Sequence, residues 1–273
     1  MIRLIALDMD DTLLNEHSQI TPRTMQALKD AMAAGCRICL SSGRMLESML
    51  PIAQRIGVNA PMLLYNGSMI YDHNTDTTIY APQITYETAL KIAETARELG
   101  VYIQVYPGKN YYCDYINDYT RAYAKSIAVE PVEVKMPITD WMRAHPSGMQ
   151  KMLVIDTPEG ATRAQEALRK AIPDGARFLK SKAHYIEIVP ENVDKGTSLK
   201  KLGEYLGIDR DEIMAFGDGQ NDVAMLEYAG SGYAMANSCK EALACTDLIA
   251  PPNTEDGVAQ VIEQYLKEGK LGG

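Results

Sequence analysis

The chain has 273 residues, enough to bury a sizeable core as one large domain or two modest ones, and its composition is that of an ordinary globular protein. Its formal net charge of -9, with no clustered run of Lys and Arg, argues against a nucleic-acid surface, which has to neutralise phosphates. No apolar stretch is long enough to span a bilayer or to form the core of a secretory leader, and five cysteines scattered without a framework fit a reducing compartment, so the expectation is a cytoplasmic protein.

The first predicted element is a short apolar run, Leu4 to Leu7, that ends in Asp8, Asp10 and Asp11. Such a run reads as a strand buried on both faces, which belongs in a parallel α/β sheet, and those sheets carry their chemistry just beyond the carboxyl ends of their strands. In an extended chain residues two apart share a side, so Asp8 and Asp10 would converge unless the chain turns immediately. Converging carboxylates repel unless a cation lies between them or one keeps a proton, which leaves a hard metal ion or an acid/base pair. A solvated acidic turn is the plain alternative.

Thr21-Pro22 then starts a helix, with Met25, Leu28 and Met32 at helical spacing and Gly35 at its end. Cys36 to Leu40 is a second strand. Its Cys36 and Cys39 match C-x-x-C, but residues three apart in a strand face opposite sides, so they read as buried small residues rather than a redox or zinc pair. The strand ends in Ser41-Ser42-Gly43-Arg44. A hydroxyl, a glycine and a cation can seat an anion there, although an ordinary capping turn uses the same residues. A helix to about Ile56 and a strand at Pro61 to Leu64 complete a βαβαβ run with right-handed crossovers. Asn66-Gly67 has the look of a hairpin turn, yet it falls where the third strand would deliver residues to the edge that holds Asp8 and Ser42. A β-hairpin follows, Met69 to Tyr71 and Thr77 to Tyr80.

From about Pro82 the pattern changes. A helix carries Leu90, Ala93, Ala96 and Leu99, and strands follow at Val101 to Tyr106 and Tyr111 to Tyr115. Residues 129–137 read as irregular and exposed. A strand at Met149 to Ile155, a helix with Ala161, Ala164 and Leu168, and strands at Arg177 to Leu179 and His184 to Val189 complete an α+β module rich in tyrosine. Residues 83–190 are therefore expected to form an inserted domain with Pro82 and Pro190 near its hinges, and residues 1–82 and 191–273 to form the other. The first pattern resumes with a helix carrying Leu199, Leu202 and Leu206 just after Asp194-Lys195-Gly196. The strand Glu212 to Phe216 runs into Gly217-Asp218-Gly219-Gln220-Asn221-Asp222, where carboxylates again close an apolar run. Two short βα units and a helix with Val258, Ile262 and Leu266 end the chain.

Four pieces thus stand in this order: D-x-D-x-T at Asp8 to Thr12, a hydroxyl at a strand end at Ser42, a lone Lys before a helix at Lys195, and G-D-x-x-N-D at Gly217 to Asp222. This constellation resembles the haloacid dehalogenase superfamily of phosphotransferases, and the inserted module resembles the class IIB cap of its Cof-type sugar phosphatases. The resemblance implies an α/β fold, a doubly wound, mostly parallel sheet with an inserted α+β cap domain. It also implies a Mg2+-dependent phosphatase acting on small phosphorylated metabolites. In that scheme Asp8 is the nucleophile that becomes an aspartyl-phosphate, and Asp10 is the acid/base whose main-chain carbonyl also ligates Mg2+. Asp218 is the third metal ligand, and Ser42, Gly43 and Lys195 hold the phosphoryl oxygens. Asn221 and Asp222 complete the surroundings of the metal and the lysine, and Asn66 and Arg44 lie near the phosphate or leaving group. Threonine is commoner than Ser42 at its position, and serine keeps the hydroxyl. In the cap, Lys182 and His184 are expected on one strand face with Lys180, offering donors to the leaving group; an ordinary solvated strand edge would carry the same residues.

The alternative from another class is a phospho-accepting signalling switch of the response-regulator kind, which also sets an acidic pair, a Ser/Thr and a Lys around Mg2+. There the phosphorylated aspartate lies on a middle strand of a single small domain, whereas here the D-x-D is on the first strand and a module is inserted.

Overall fold

The structure is a computed structural model that describes residues 1–272. The chain divides into two compact units, the first built from Met1–Gly43, Met49–Tyr80 and the chain from Asp194 onward, the second from Arg44–Ser48 and Ala81–Val193. Among the described residues no helix is long and apolar enough to cross a membrane.

The first unit is built on an eight-stranded sheet. Its strands run in the order Ile249–Ala250, Ser231–Met235, Ile213–Gly217, Leu4–Asp8, Arg37–Ser41, Met62–Leu64, Met69–Asp72 and Thr77–Tyr80. The first six are parallel and the last two add an antiparallel hairpin. Leu4 and Ala6 pack in one apolar cluster with Leu199, Leu202 and Met225, while Ile5 and Leu7 point the other way and are equally buried. That two-sided burial explains the unbroken apolar run in the sequence. Leu4–Asp8 lies between Arg37–Ser41, which follows it in the chain, and Ile213–Gly217, which comes much later. The chain order reverses at this point, so the crevice where parallel sheets bind ligands falls at the end of Asp8.

Cys36 and Cys39 are both buried, with their thiols pushed up by desolvation, Cys39 to about 12. Asn66-Gly67 does sit in a hairpin connection, since Met62–Leu64 pairs antiparallel with Met69–Asp72.

The second unit carries a six-stranded sheet in the order Ala176–Lys182, Tyr185–Pro190, Lys151–Ile155, Tyr102–Tyr106, Tyr112–Cys113 and Val132–Glu133. Two of its helices lie in stretches where the sequence predicts none. Asp118–Ile127 buries Thr120, Tyr123, Ala124 and Ile127, a helical spacing disguised by a hydroxyl and a tyrosine. Its start is a capping box, in which the Asn117 side chain accepts from the Thr120 N–H and the Thr120 hydroxyl accepts from the Asn117 N–H. Ile138–Ala144 is only two turns long, too short to show a period. Residues 129–137 are not wholly irregular either, because Val132–Glu133 pairs with Tyr112–Cys113. Pro190 ends the strand Tyr185–Pro190, and the division between units falls beyond it, after Val193.

The helix-facing side of this sheet is apolar, with Ile103, Val105, Met152, Val154, Phe178, Ile186 and Ile188 in one cluster. Alternate positions are polar and still buried. Lys151 is fully inaccessible and pairs with Glu187 at 2.7 Å. Its Nζ stands 4.9 Å from the Tyr106 ring centre and donates to the Tyr123 hydroxyl at 3.3 Å. Burial alone would lower the Lys151 pKa, but the Glu187 and Tyr123 charges and the hydrogen bonds to both together more than offset this and hold the ammonium on. Removing one partner of such a pair strands the other charge. Glu187→Gln is expected to destabilise the chain by about 3–5 kcal/mol, read as a lowered urea midpoint, and Glu187→Leu combined with Lys151→Met should recover most of that loss.

Candidate active site

The site is assembled at the carboxyl ends of four neighbouring strands of the first unit. After Leu4–Asp8 the chain does not continue extended. It closes a single wide turn in which the Leu14 N–H donates to the Met9 carbonyl at 2.9 Å, with Asp11 in the left-handed region at φ 60°. The alternation argument for Asp8 and Asp10 therefore does not apply, because the strand stops at Asp8; the position of Asp10 is set by the turn.

Asp8, Asp218 and Asp222 converge, each offering an oxygen within 4.8 Å of the others. Between them lies Lys195. Its Nζ donates to Asp8 Oδ1 and to Asp222 Oδ1, each at 2.5 Å, and its side chain is wholly buried. Lys195 is delivered there as the first residue of the helix Lys195–Leu206. The capping box that starts the helix pairs Asp194 with Thr197. Gly196 lets the helix lie against the Ala224 carbonyl, a place where any β-carbon would collide with backbone.

Asp222 uses both of its oxygens. Its second oxygen accepts the N–H groups of Asp218 and Gly219 at 3.1 and 2.8 Å. Asp222 therefore shapes the loop and anchors the lysine. Asp8 and Asp218 each keep capacity: Asp8 Oδ1 accepts from Lys195, and Asp218 Oδ1 accepts from the Thr12 hydroxyl at 2.9 Å.

Desolvation, followed by the Asp222 charge, pushes the Asp8 carboxyl well above its ordinary range, and Lys195 pulls it back only in part. Burial and the same Asp222 charge raise Asp218 to about 7, against the opposing Thr12 hydrogen bond. The Lys195 ammonium is disfavoured by burial, yet the two aspartates raise its pKa, so it stays charged. Three carboxylates against one ammonium leave an excess of negative charge that a hard divalent cation on oxygen donors would balance.

Ser42 is buried one residue past Arg37–Ser41, its N–H donating to Leu63 and its carbonyl accepting from Asn66. Asn66 lies in a turn where Tyr65, Asn66 and Gly67 all have positive φ. At Gly67 a β-carbon would strike the Asp194 carbonyl and the Ser198 hydroxyl, so only glycine brings this turn against the start of the lysine's helix. The Asn66 Oδ1 accepts from Asn221 Nδ2 at 3.0 Å, joining the third-strand turn to the loop 217–222. The Asn66 amide also stands where a β-carbon on Gly43 would lie, between 3.0 and 3.3 Å away. Asp8, Ser42, Gly43, Asn66, Lys195, Asp218, Asn221 and Asp222 thus share one end of the sheet, with Asp10 in the turn that follows Asp8. Arg44 groups with the second unit.

Lys182 and His184 do not share a strand face with Lys180. The pairing of Ala176–Lys182 with Tyr185–Pro190 slips between Lys180 and Lys182, and Ala183 and His184 form the hairpin turn. Lys180 donates to Thr162 on the helix Pro158–Ala171. The bulge breaks the alternation on which the expected face depended.

A family profile described as haloacid dehalogenase-like hydrolase matches residues 5–262. The chain belongs to this family. Among solved structures, a haloacid dehalogenase-like hydrolase from Bacteroides thetaiotaomicron superposes with a TM-score of 0.87 at 28% identity, covering 97% of this chain and all of that one. The subclass IIB sugar phosphatase BT4131 shares the fold at a TM-score of 0.83 and 21% identity, over 96% of this chain and 98% of that one. The pyridoxal phosphate phosphatase YbhA of Escherichia coli (strain K12) is 26% identical over 283 residues, covering 97% of this chain and 98% of its own. Membership in a hydrolase family with phosphatase relatives makes the protein a phosphatase of the haloacid dehalogenase type and sets aside the signalling-switch reading.

The raised Asp218 pKa has a consequence for stability. The unfolded chain loses that proton near pH 4, whereas the folded chain keeps it to about 7, so the folded state binds more protons across that window. Without added divalent cation, stability should fall as pH rises from about 4 to about 7, in the sense set by the linkage between protons and folding. Asp218→Asn should flatten this fall, as read from denaturation midpoints across that range.

Proposed function

We propose that this phosphatase hydrolyses small phosphorylated metabolites, sugar phosphates or related phosphomonoesters, with Mg2+, through an aspartyl-phosphate on Asp8. The observation that carries the reading is the buried Lys195 ammonium held between Asp8 and Asp222 beside Asp218. A structural ion pair would use one carboxylate, whereas a site for a phosphate dianion needs a nucleophile, fixed positive charge and a place for a metal. When bound, Mg2+ on Asp8, Asp218 and the Asp10 main-chain carbonyl would neutralise the phosphoryl charge and let Asp8 stay ionised.

In the first half-reaction an Asp8 oxygen attacks phosphorus, an Asp8–phosphorus bond forms and the ester P–O bond breaks. Asp10 gives its proton to the departing oxygen. In the second, Asp10 takes a proton from water, whose oxygen attacks phosphorus and returns Asp8 as carboxylate. Ser42, Gly43 and Lys195 hold the phosphoryl oxygens, and Asn66, Asn221 and Asp222 hold the loops that present them. Arg44, Lys182 and His184 belong to the leaving-group end of the same proposal, with the second unit as the specificity module. The relatives support leaving-group diversity, since one is a pyridoxal phosphate phosphatase and another a sugar phosphatase. Five free cysteines, as a reducing compartment tolerates, support a cytoplasmic location.

Asp8→Asn should fold and release no phosphate from any ester, and full turnover by this variant would overturn the proposal. Lys195→Ala should cost about a hundredfold or more in kcat/KM, on the scale of a lost transition-state donor, while Lys200→Ala on the exposed side of the same helix should cost almost nothing. Substrate class is read from a phosphate-release panel run with and without Mg2+. Lys182→Ala and His184→Ala should change rates unequally across esters and leave p-nitrophenyl phosphate least affected; a uniform change removes both from the specificity role.

A further inference from the structure

Both acidic loops of the first unit are tied to one short segment, residues 237–239, that follows the strand Ser231–Met235. Asn237 Nδ2 donates to the Asp11 carbonyl at 2.8 Å, the Ser238 hydroxyl donates to the Gly217 carbonyl at 3.3 Å, and the Cys239 N–H donates to the Asp218 carbonyl at 2.9 Å. The segment therefore sets the turn that carries Asp10 against the loop that carries Asp218. Asn237 is itself held, because the Asn253 N–H donates to its Oδ1 at 3.0 Å. Asn253 also reaches the far end of the turn, its Nδ2 donating to the Leu14 carbonyl at 2.8 Å. The two asparagines thus grip both ends of the stretch from Asp11 to Leu14.

What Asn237 grips is a special piece of backbone. Asp11 is left-handed, φ 60° and ψ 7°, directly after Asp10 at φ -76° and ψ 129°. A residue with a side chain seldom adopts this conformation unless its surroundings hold it there, and a shift at Asp11 swings the preceding Cα–Cβ direction. We infer that Asn237 is a positioning residue for the acid/base step: by fixing the Asp11 carbonyl it fixes where the Asp10 carboxyl stands. Asn237 is solvent-exposed and fills no core space, so its hydrogen bond bears on placement rather than on global stability. The inference rests on the acid/base reading of Asp10.

The test uses the full chain, Mg2+ and p-nitrophenyl phosphate. Asn237→Ala and the near-isosteric Asn237→Leu are expected to lower kcat by about 3- to 10-fold, the weight of one hydrogen bond expressed in a rate, with KM and the unfolding midpoint nearly unchanged. Asn253→Ala should act in the same direction. In an Asp10→Asn background, Asn237→Ala should cause no further loss, because the group it places is already gone. Unchanged kcat in the single variants, or an equal loss in both backgrounds, would overturn the inference while leaving the role of Asp10 intact. Wild-type turnover by Asp10→Asn alone would overturn the acid/base reading and this inference with it.

Discussion

A fully buried ammonium held between two carboxylates, with a third carboxylate beside them, is the constraint around which the first unit is arranged. Taking Lys195 out of water is costly, and only two close aspartates make its charge tolerable. Taking Asp8 and Asp218 out of water is costly as well, and one ammonium does not offset it, which is why both carboxyls are pushed upward. The cluster is therefore short of positive charge. A phosphate dianion would worsen that balance on its own, whereas a divalent cation would correct it.

Holding such a cluster requires four segments far apart in the chain to meet with little freedom. The parallel register supplies most of this: Asp8 pairs with Ser41 and Leu7 with Phe216, so strand ends arrive side by side. Local devices supply the rest. The Asp194–Thr197 box starts the lysine's helix at the right residue, Gly196 and Gly67 permit backbone approaches that a β-carbon would block, and the Asn66–Asn221 bond ties two loops together. Asp222 spends one oxygen on the lysine and the other on two N–H groups of its own loop, so the loop and the charge pair stand or fall together.

The second unit places charge differently. Lys151 and Glu187 form a buried pair of opposite charges among tyrosines. Its hairpin at residues 183–184 and the slipped pairing before it turn Lys180 toward the helix Pro158–Ala171, which reduces the polar face that simple alternation suggests.

Much of the first unit was legible in the sequence because its signals are local. Apolar runs closed by Asp8 and by Asp218, a Thr-Pro helix start and the order of four motifs follow from burial and capping, and they led to the sheet, the family and the residues of the candidate site. The partners of those residues were not legible. That Thr12 steadies Asp218 and that Asn237 and Asn253 grip the turn after Asp8 depend on contacts across 200 residues or more, and that Asp222 holds its own loop depends on backbone N–H groups, which carry no side-chain signature. The alternation argument for Asp8 and Asp10 does not apply for a related reason: alternation holds only while a strand lasts, and where Leu4–Asp8 stops is decided by the turn and the segments packed on it. In the second unit the helix Asp118–Ile127 buries a threonine and a tyrosine, so its period is visible only once the hydrogen bonds that make those groups tolerable inside are known. Sequence by itself determined which residue types stand at the strand ends; tertiary structure decided which atoms they meet, because pairing between distant segments is set by packing rather than by spacing along the chain.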